Sequence, residues 1–251
     1  MQQSKTNRTM LLVFVIIALF CGVFVLRSDV QRTVYDVGAP VFTAEVGNQK
    51  VIVPSWSLFA SGKLWSLVSS DHTLSLSYTP DLAEVTVTHV PDATQVSKTI
   101  ITPLDSMVKR ASSDGISLML SSAYRSSDDQ QAIYNSLLNM YGRQYVHEYV
   151  AEPGASEHQT GLAVDIATIS HGCTIDANAC SLDASGIAWL RAHAADYGFI
   201  ERYPSGKQSI TGVAGEHWHY RYVGVPLAKA LTAANMTLDE FVQQVAPGYA
   251  R

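Results

Sequence analysis

Charge is sparse in this chain, and nowhere is it concentrated. Only 16% of the 251 residues are charged, the formal net charge is -5, and the lysines and arginines form no cluster. A surface that follows a phosphate backbone needs a basic patch or stripe, so nucleic acid is excluded as a partner. No internal repeat or low-complexity segment occurs, which excludes a repeat array. What is abundant is apolar: 47% hydrophobic residues suffice for one substantial core, and one main domain is expected.

There is one long hydrophobic run. Residues 10–26 form seventeen positions without charge, preceded by Lys5 and Arg8. That is near the lower limit for crossing a bilayer core of ~30 Å. The run reads as a signal anchor or a signal peptide. It exceeds an ordinary signal core and no small-x-small cleavage site closes it, which favours an uncleaved anchor. Residues 1–9 would then be a cytoplasmic tail, and the rest of the chain would lie outside the cytoplasm.

Cysteine is nearly absent. With Cys21 inside the run, Cys173 and Cys180 remain, six residues apart in a polar insert. Outside the cytoplasm a disulfide is expected, contributing roughly 2.5 kcal/mol in the chain-entropy model.

The chemistry concentrates in two short stretches. Ser156-Glu157-His158 is followed seven residues after the histidine by Asp165, and Glu216-His217-Trp218-His219 comes about fifty residues later. Two imidazoles and a carboxylate can hold zinc with one position left for water, and an uncoordinated glutamate can take that water's proton. Residues 161–167 read as a strand. Leu162, Val164 and Ile166 give it one bulky apolar face, while Gly161, Ala163, Asp165 and Ala167 leave room beside a ligand on the other. By themselves His158 and Asp165 also fit a capped strand with a surface histidine and a solvated aspartate. In the second stretch, strand parity puts His217 and His219 on one face and nominates both.

Other elements follow from turns and caps. A hairpin is expected over residues 41–53, turning at Gly47-Asn48, with helices near 102–112, 128–140 and 183–197 and a strand over 116–121. Trp189, Leu190 and His193 share helical spacing, so His193 reads as a packing residue. Thr237 and Glu240 form a capping-box pattern for a last helix that packs Phe241 and Val245.

Four blocks together resemble a known family. Ser121-Ser122-Ala123-Tyr124-Arg125-Ser126, residues 153–165 from Pro153-Gly154 to Val164-Asp165, Tyr197-Gly198-Phe199-Ile200-Glu201-Arg202-Tyr203-Pro204, and Glu216-His217-Trp218-His219-Tyr220-Arg221-Tyr222-Val223-Gly224 are similar to successive blocks of the VanY-like D-alanyl-D-alanine carboxypeptidases. The resemblance runs from about Leu67 to the C-terminus. It implies an α+β fold of the hedgehog and D,D-peptidase type, a small, largely antiparallel sheet with packed helices, here preceded by one N-terminal transmembrane helix.

By the same resemblance, His158, Asp165 and His219 are the zinc ligands and Glu216 is the general base. The family usually has proline where this chain has His217, so His217 is not expected to ligate, and a bulge or turn must break the strand parity. Arg125 would stabilise the oxyanion or grip the substrate carboxylate, with Gln131 and Ser156 near that carboxylate. The implied partner is a peptidoglycan stem peptide, and the implied reaction is removal of its terminal D-alanine by a monomeric, membrane-attached zinc enzyme. L,D-carboxypeptidase, cell-wall endopeptidase and non-catalytic wall-binding module remain alternatives. Residues 27–60 would be a connector with a hairpin, and residues 61–251 the peptidase domain.

Overall fold

The computed structural model describes residues 31–33, 41–53, 59–85, 94–169 and 181–247. The apolar run at 10–26 and both Cys173 and Cys180 lie outside these, so the expected anchor and disulfide do too. Among the described residues no helix is long and apolar enough to cross a membrane.

The fold is mixed α and β, built on small antiparallel sheets. Strands β1 (Gln31–Thr33), β2 (Val41–Val46) and β3 (Gln49–Val53) form the first sheet, with Gly47 at φ +57 where the hairpin turns. A two-stranded ribbon pairs β4 (Leu82–Glu84) with β5 (Gln95–Ser97). The principal sheet has four strands: β6 (Leu118–Ser122), β7 (Ala163–Thr168), β8 (Phe199–Tyr203) and β9 (Glu216–Tyr222), in the order β6-β7-β9-β8. Around these lie seven helices among the described residues: α1 (Ile101–Ser113), α2 (Ser127–Tyr141), α3 (Arg143–Tyr149), α4 (Ala184–His193), the short α5 (Gln208–Thr211), α6 (Val225–Ala234) and α7 (Leu238–Val245).

The two faces of the principal sheet carry different chemistry. On one, Leu118, Leu120, Val164, Ile166, Phe199 and Tyr220 pack with Leu104 and Met107 of α1 and with Trp189 and Leu190 of α4. Alternation therefore turns Asp165, His219, Arg221 and Arg202 to the other face. Beside that polar face a second core forms. The hairpin supplies Ala44, Val46, Val51 and Val53, the terminal helices supply Leu231 and Phe241, and Phe59, Trp65 and Leu67 join them. Trp65 meets Phe241 edge-on at 5.6 Å and donates its indole N–H to the Val223 carbonyl at 2.8 Å. Each large apolar side chain buried this way contributes about 1.5 to 3 kcal/mol. The hairpin is thus packed into the body of the protein, whereas the sequence had placed it with the connector.

Local signals behave as their chemistry requires. Ser126 with Asp129 and Thr237 with Glu240 both close capping boxes, at the starts of α2 and α7. His193 lies against the Trp189 ring at 4.7 Å, the packing role expected of it. α4 runs on through a 3-10 turn to Tyr197, where Gly198 at φ +87 stops it.

Candidate metal centre

The first site residue comes from a tight turn. A 3-10 turn, Glu157–Thr160, precedes β7, and all four of its side chains are buried. Gly161 closes it at φ +65, pressed so near β5 that a Cβ there would stand 2.7 Å from the Ser97 nitrogen. This turn folds His158 back over β7. Its Nδ1 lies 2.7 Å from the carbonyl of Ala123, just after β6. A carbonyl can only accept, so Nδ1 carries the hydrogen and Nε2 keeps its lone pair. That Nε2 stands 3.3 Å from Asp165 Oδ2.

The second histidine is presented across the sheet. Asp165 of β7 is directly opposite His219 of β9, and His219 Nδ1 lies 3.1 Å from Asp165 Oδ1. The other ring nitrogen, Nε2, faces Glu157 Oε2 at 3.3 Å. Both ring nitrogens therefore face carboxylates, and with Nε2 held by Glu157 it is Nδ1, beside Asp165, that an ion would take. Ligand atoms of His158, Asp165 and His219 all fall within 4.8 Å of one another. Both rings are buried, 4% and 5% exposed, and cross edge-on at 5.0 Å.

Two register shifts frame this centre. Pairing slips between Leu120 and Ser122 on β6, and again between Glu201 and Tyr203 on β8. At the second slip, three residues of β9 oppose one of β8, so His217 leaves the face that His219 occupies. Its Nδ1 sits 2.6 Å from Glu201 Oε1, with Arg191 3.1 Å away. The bulge that the resemblance required is present, and simple parity over 216–220 is wrong.

Carboxylates stand beside both histidines of the centre. Burial works to raise the Asp165 carboxyl, but His158 and His219 outweigh it and hold it well below the carboxylate range. Burial lowers His158, against the pull of Asp165. Burial would also lower His219, yet Asp165 and Glu157 raise it to about 9. These carboxylates therefore favour a cation between them. Two imidazoles whose far nitrogens are held by acceptors, together with the Asp165 carboxylate, fit zinc well.

The remaining candidates surround this set. Glu216 begins β9 with Oε2 3.9 Å from His219 Nδ1, and burial lifts its pKa while His219 pulls it down. Arg125 is half-buried beside β6, donating from Nη1 to Gln130 Oε1 at 2.9 Å and from Nη2 to Ser122 Oγ at 3.4 Å. Burial opposes its charge, whereas Asp165, Asp129 and Glu216 support it. Ser156 is buried at the entrance to the turn.

Gln131 requires correction. It is exposed on α2 and bonds Asn135 along the same helix at 3.0 Å, away from Arg125. Its neighbour Gln130, 2% exposed, holds Arg125 and donates to the Ala151 carbonyl at 2.7 Å. The capping box at Ser126 sets the phase of α2, and that phase turns residue 130 inward. The sequence also gave no role to Tyr203, whose buried ring lies 5.1 Å from that of His219, or to Glu157.

Comparison with known proteins agrees with this architecture. YodJ of Bacillus subtilis is 41% identical over 142 residues, which are 57% of this chain; the chain spans about half of that relative's length, 51%. The solved LD-carboxypeptidase LdcB superposes with a TM-score of 0.64 at 33% identity, over 74% of this chain and 88% of that one. The vancomycin-resistance D,D-pentapeptidase VanY, solved with Zn(II), gives 0.61 at 29% identity, over 71% and 98%. The VanY family, described as D-alanyl-D-alanine carboxypeptidase, matches residues 93–225, a stretch that contains His158, Asp165, Glu216, His219 and Arg125. More than half of the chain lies within that match, and the protein belongs to the VanY family.

Proposed function

We propose that this protein is a zinc carboxypeptidase that removes the C-terminal D-alanine from peptidoglycan stem peptides. The observation that carries the reading is the convergence of His158, Asp165 and His219, the outer nitrogen of each histidine held by an acceptor, with the Glu216 carboxylate beside them and Arg125 held nearby. His158 Nε2, Asp165 and His219 Nδ1 would hold the ion. When bound, zinc supplies Lewis acidity toward water and the scissile carbonyl.

The chain's own groups account for the remaining steps. Glu216 accepts a proton from the attacking water as its oxygen bonds to the carbonyl carbon, then returns it to the leaving amine as the C–N bond breaks. Burial raises its pKa, which makes the carboxylate a stronger base. Arg125 offers a permanent charge and paired donors to the developing oxyanion or the terminal carboxylate. The apolar run at 10–26 supports a membrane-attached enzyme acting outside the cytoplasm.

A second reading, L,D-carboxypeptidase on tetrapeptide stems, is supported by the likeness to LdcB. Mass spectrometry of defined pentapeptide and tetrapeptide stems incubated with the zinc-loaded protein separates the two. Loss of one D-alanine from the pentapeptide alone is expected. Glu216→Gln should keep zinc and abolish release; substantial turnover by that variant would assign the base elsewhere. A wall-binding module would release no D-alanine even as wild type.

A further inference from the structure

Glu157 takes no part in the steps above, yet no described carboxylate is more deeply buried: its side chain is 0% exposed. Arg202 Nε donates to its Oε1 at 2.8 Å, and Arg221 Nη1 lies 2.9 Å from the same oxygen. Its Oε2 faces His219 Nε2. Both arginines are anchored further out. Arg202 grips Asp239 of α7 with both terminal nitrogens, and Arg221 Nη2 reaches the carbonyls of Leu64 and Ser66, each at 3.2 Å.

Stability does not explain such a cluster. Desolvating four charges is costly, and well-packed apolar side chains of similar volume are often as stable or more so. What apolar residues cannot provide is an acceptor fixed behind His219 Nε2. We infer that Glu157 is a positioning residue for the metal, holding His219 in the tautomer that directs Nδ1 to the centre, while Arg202 and Arg221 keep the Glu157 carboxylate itself from swinging in as a competing ligand. The inference rests on the zinc reading of the site. It adds that the C-terminal helix α7, through Asp239 and Arg202, is part of the metal's support.

The test uses the full-length chain and zinc alone. Competition against a chromophoric chelator gives the zinc affinity of wild type, Glu157→Gln and Asp239→Asn, with circular dichroism reporting the fold. Glu157→Gln should bind zinc about 10 to 100-fold more weakly, because the two arginines hold the amide oxygen and leave its NH2, a donor, facing His219 Nε2. Asp239→Asn should show a smaller loss, because Glu157 remains. Nitrogen-15 NMR of the zinc-loaded wild type should show His219 coordinated through Nδ1 with a protonated, slowly exchanging Nε2. This spectrum decides the matter even if Glu157→Gln does not fold. Coordination through Nε2, or a folded Glu157→Gln that binds zinc within about twofold of wild type, overturns the inference. A wild type that binds no zinc overturns the functional reading beneath it.

Discussion

Replacing Gln130 with alanine separates two adjacent glutamines with opposite surroundings. Gln130 is almost fully buried, with its oxygen taking a hydrogen bond from Arg125 and its nitrogen giving one to the Ala151 carbonyl. Truncation leaves a guanidinium without its neutral partner and a carbonyl without its donor. A hydrogen bond to a charged group contributes about 1.5 to 3 kcal/mol, and an orphaned buried acceptor costs about 1 to 3. Water enters part of the gap, so about 2 to 3 kcal/mol of lost stability is expected. Arg125 also loses its hold, and turnover should fall at least about tenfold. Gln131→Ala, which removes only a surface contact to Asn135, should stay within about 0.5 kcal/mol of wild type. Urea unfolding of the zinc-loaded proteins, read from the midpoint at constant slope, together with D-alanine release, measures both effects. If Gln131→Ala were the more damaging change, the assignment of the buried face of α2 would be wrong.

Metal analysis should find His219→Ala without zinc and His217→Ala fully loaded; the reverse pattern would mean that the bulge in β9 does not direct the ligand. Arg125→Ala should lower turnover about a hundredfold to a thousandfold while leaving zinc bound, and Arg125→Lys should recover little of it, because lysine lacks the paired donors. Near-normal turnover by Arg125→Ala would move the oxyanion role elsewhere. At the start of α4, the Asp183 carboxyl is held below the usual range chiefly by the Gly186 amide and then the Ser185 hydroxyl. Its contribution is therefore complete above the unfolded value of about 3.9 and is lost as pH falls through the lower folded value. Asp183→Asn keeps a capping side chain without that titration, so its stability should decline less than wild type in acid, and parallel thermal-melt curves would contradict this.

The candidate ligands were legible as two local clusters, although the choice of His219 over His217 came from the family resemblance and not from the residues alone. His158 and Asp165 share one turn and strand, and His219 and Glu216 share another. Residues whose role depends on phase were less so. Gln130 and Gln131 are chemically identical, and only the cap at Ser126 decides which turns inward. The bulge that separates His217 from His219 follows from the pairing of β8 with β9, which no local pattern over 216–220 reveals. Glu157 was the hardest to read. A charged residue beside a ligand ordinarily faces solvent, and the arginines that permit its burial lie far along the chain, Arg202 being 45 residues away. One signal was available: Arg221 sits two residues from His219 on the same strand, a charge on a face that the ligand already marked as interior.

The early part of the chain carries a practical consequence for anyone shortening this protein. Lys63, Leu64 and Ser66 offer their carbonyls to Arg221, and those of Ser75 and Tyr78 receive the amide of Gln159, within the turn that presents His158. Partners so far apart, 155 residues for Ser66 and Arg221, mean that the floor beneath the histidines is laid by polypeptide that the family match, beginning at residue 93, omits. A fragment cut to the matched residues would keep every ligand and the base, yet leave Arg221 stripped of its carbonyls and the turn unsupported. The smallest piece able to fold around an ion should therefore include the hairpin from residue 41 onward.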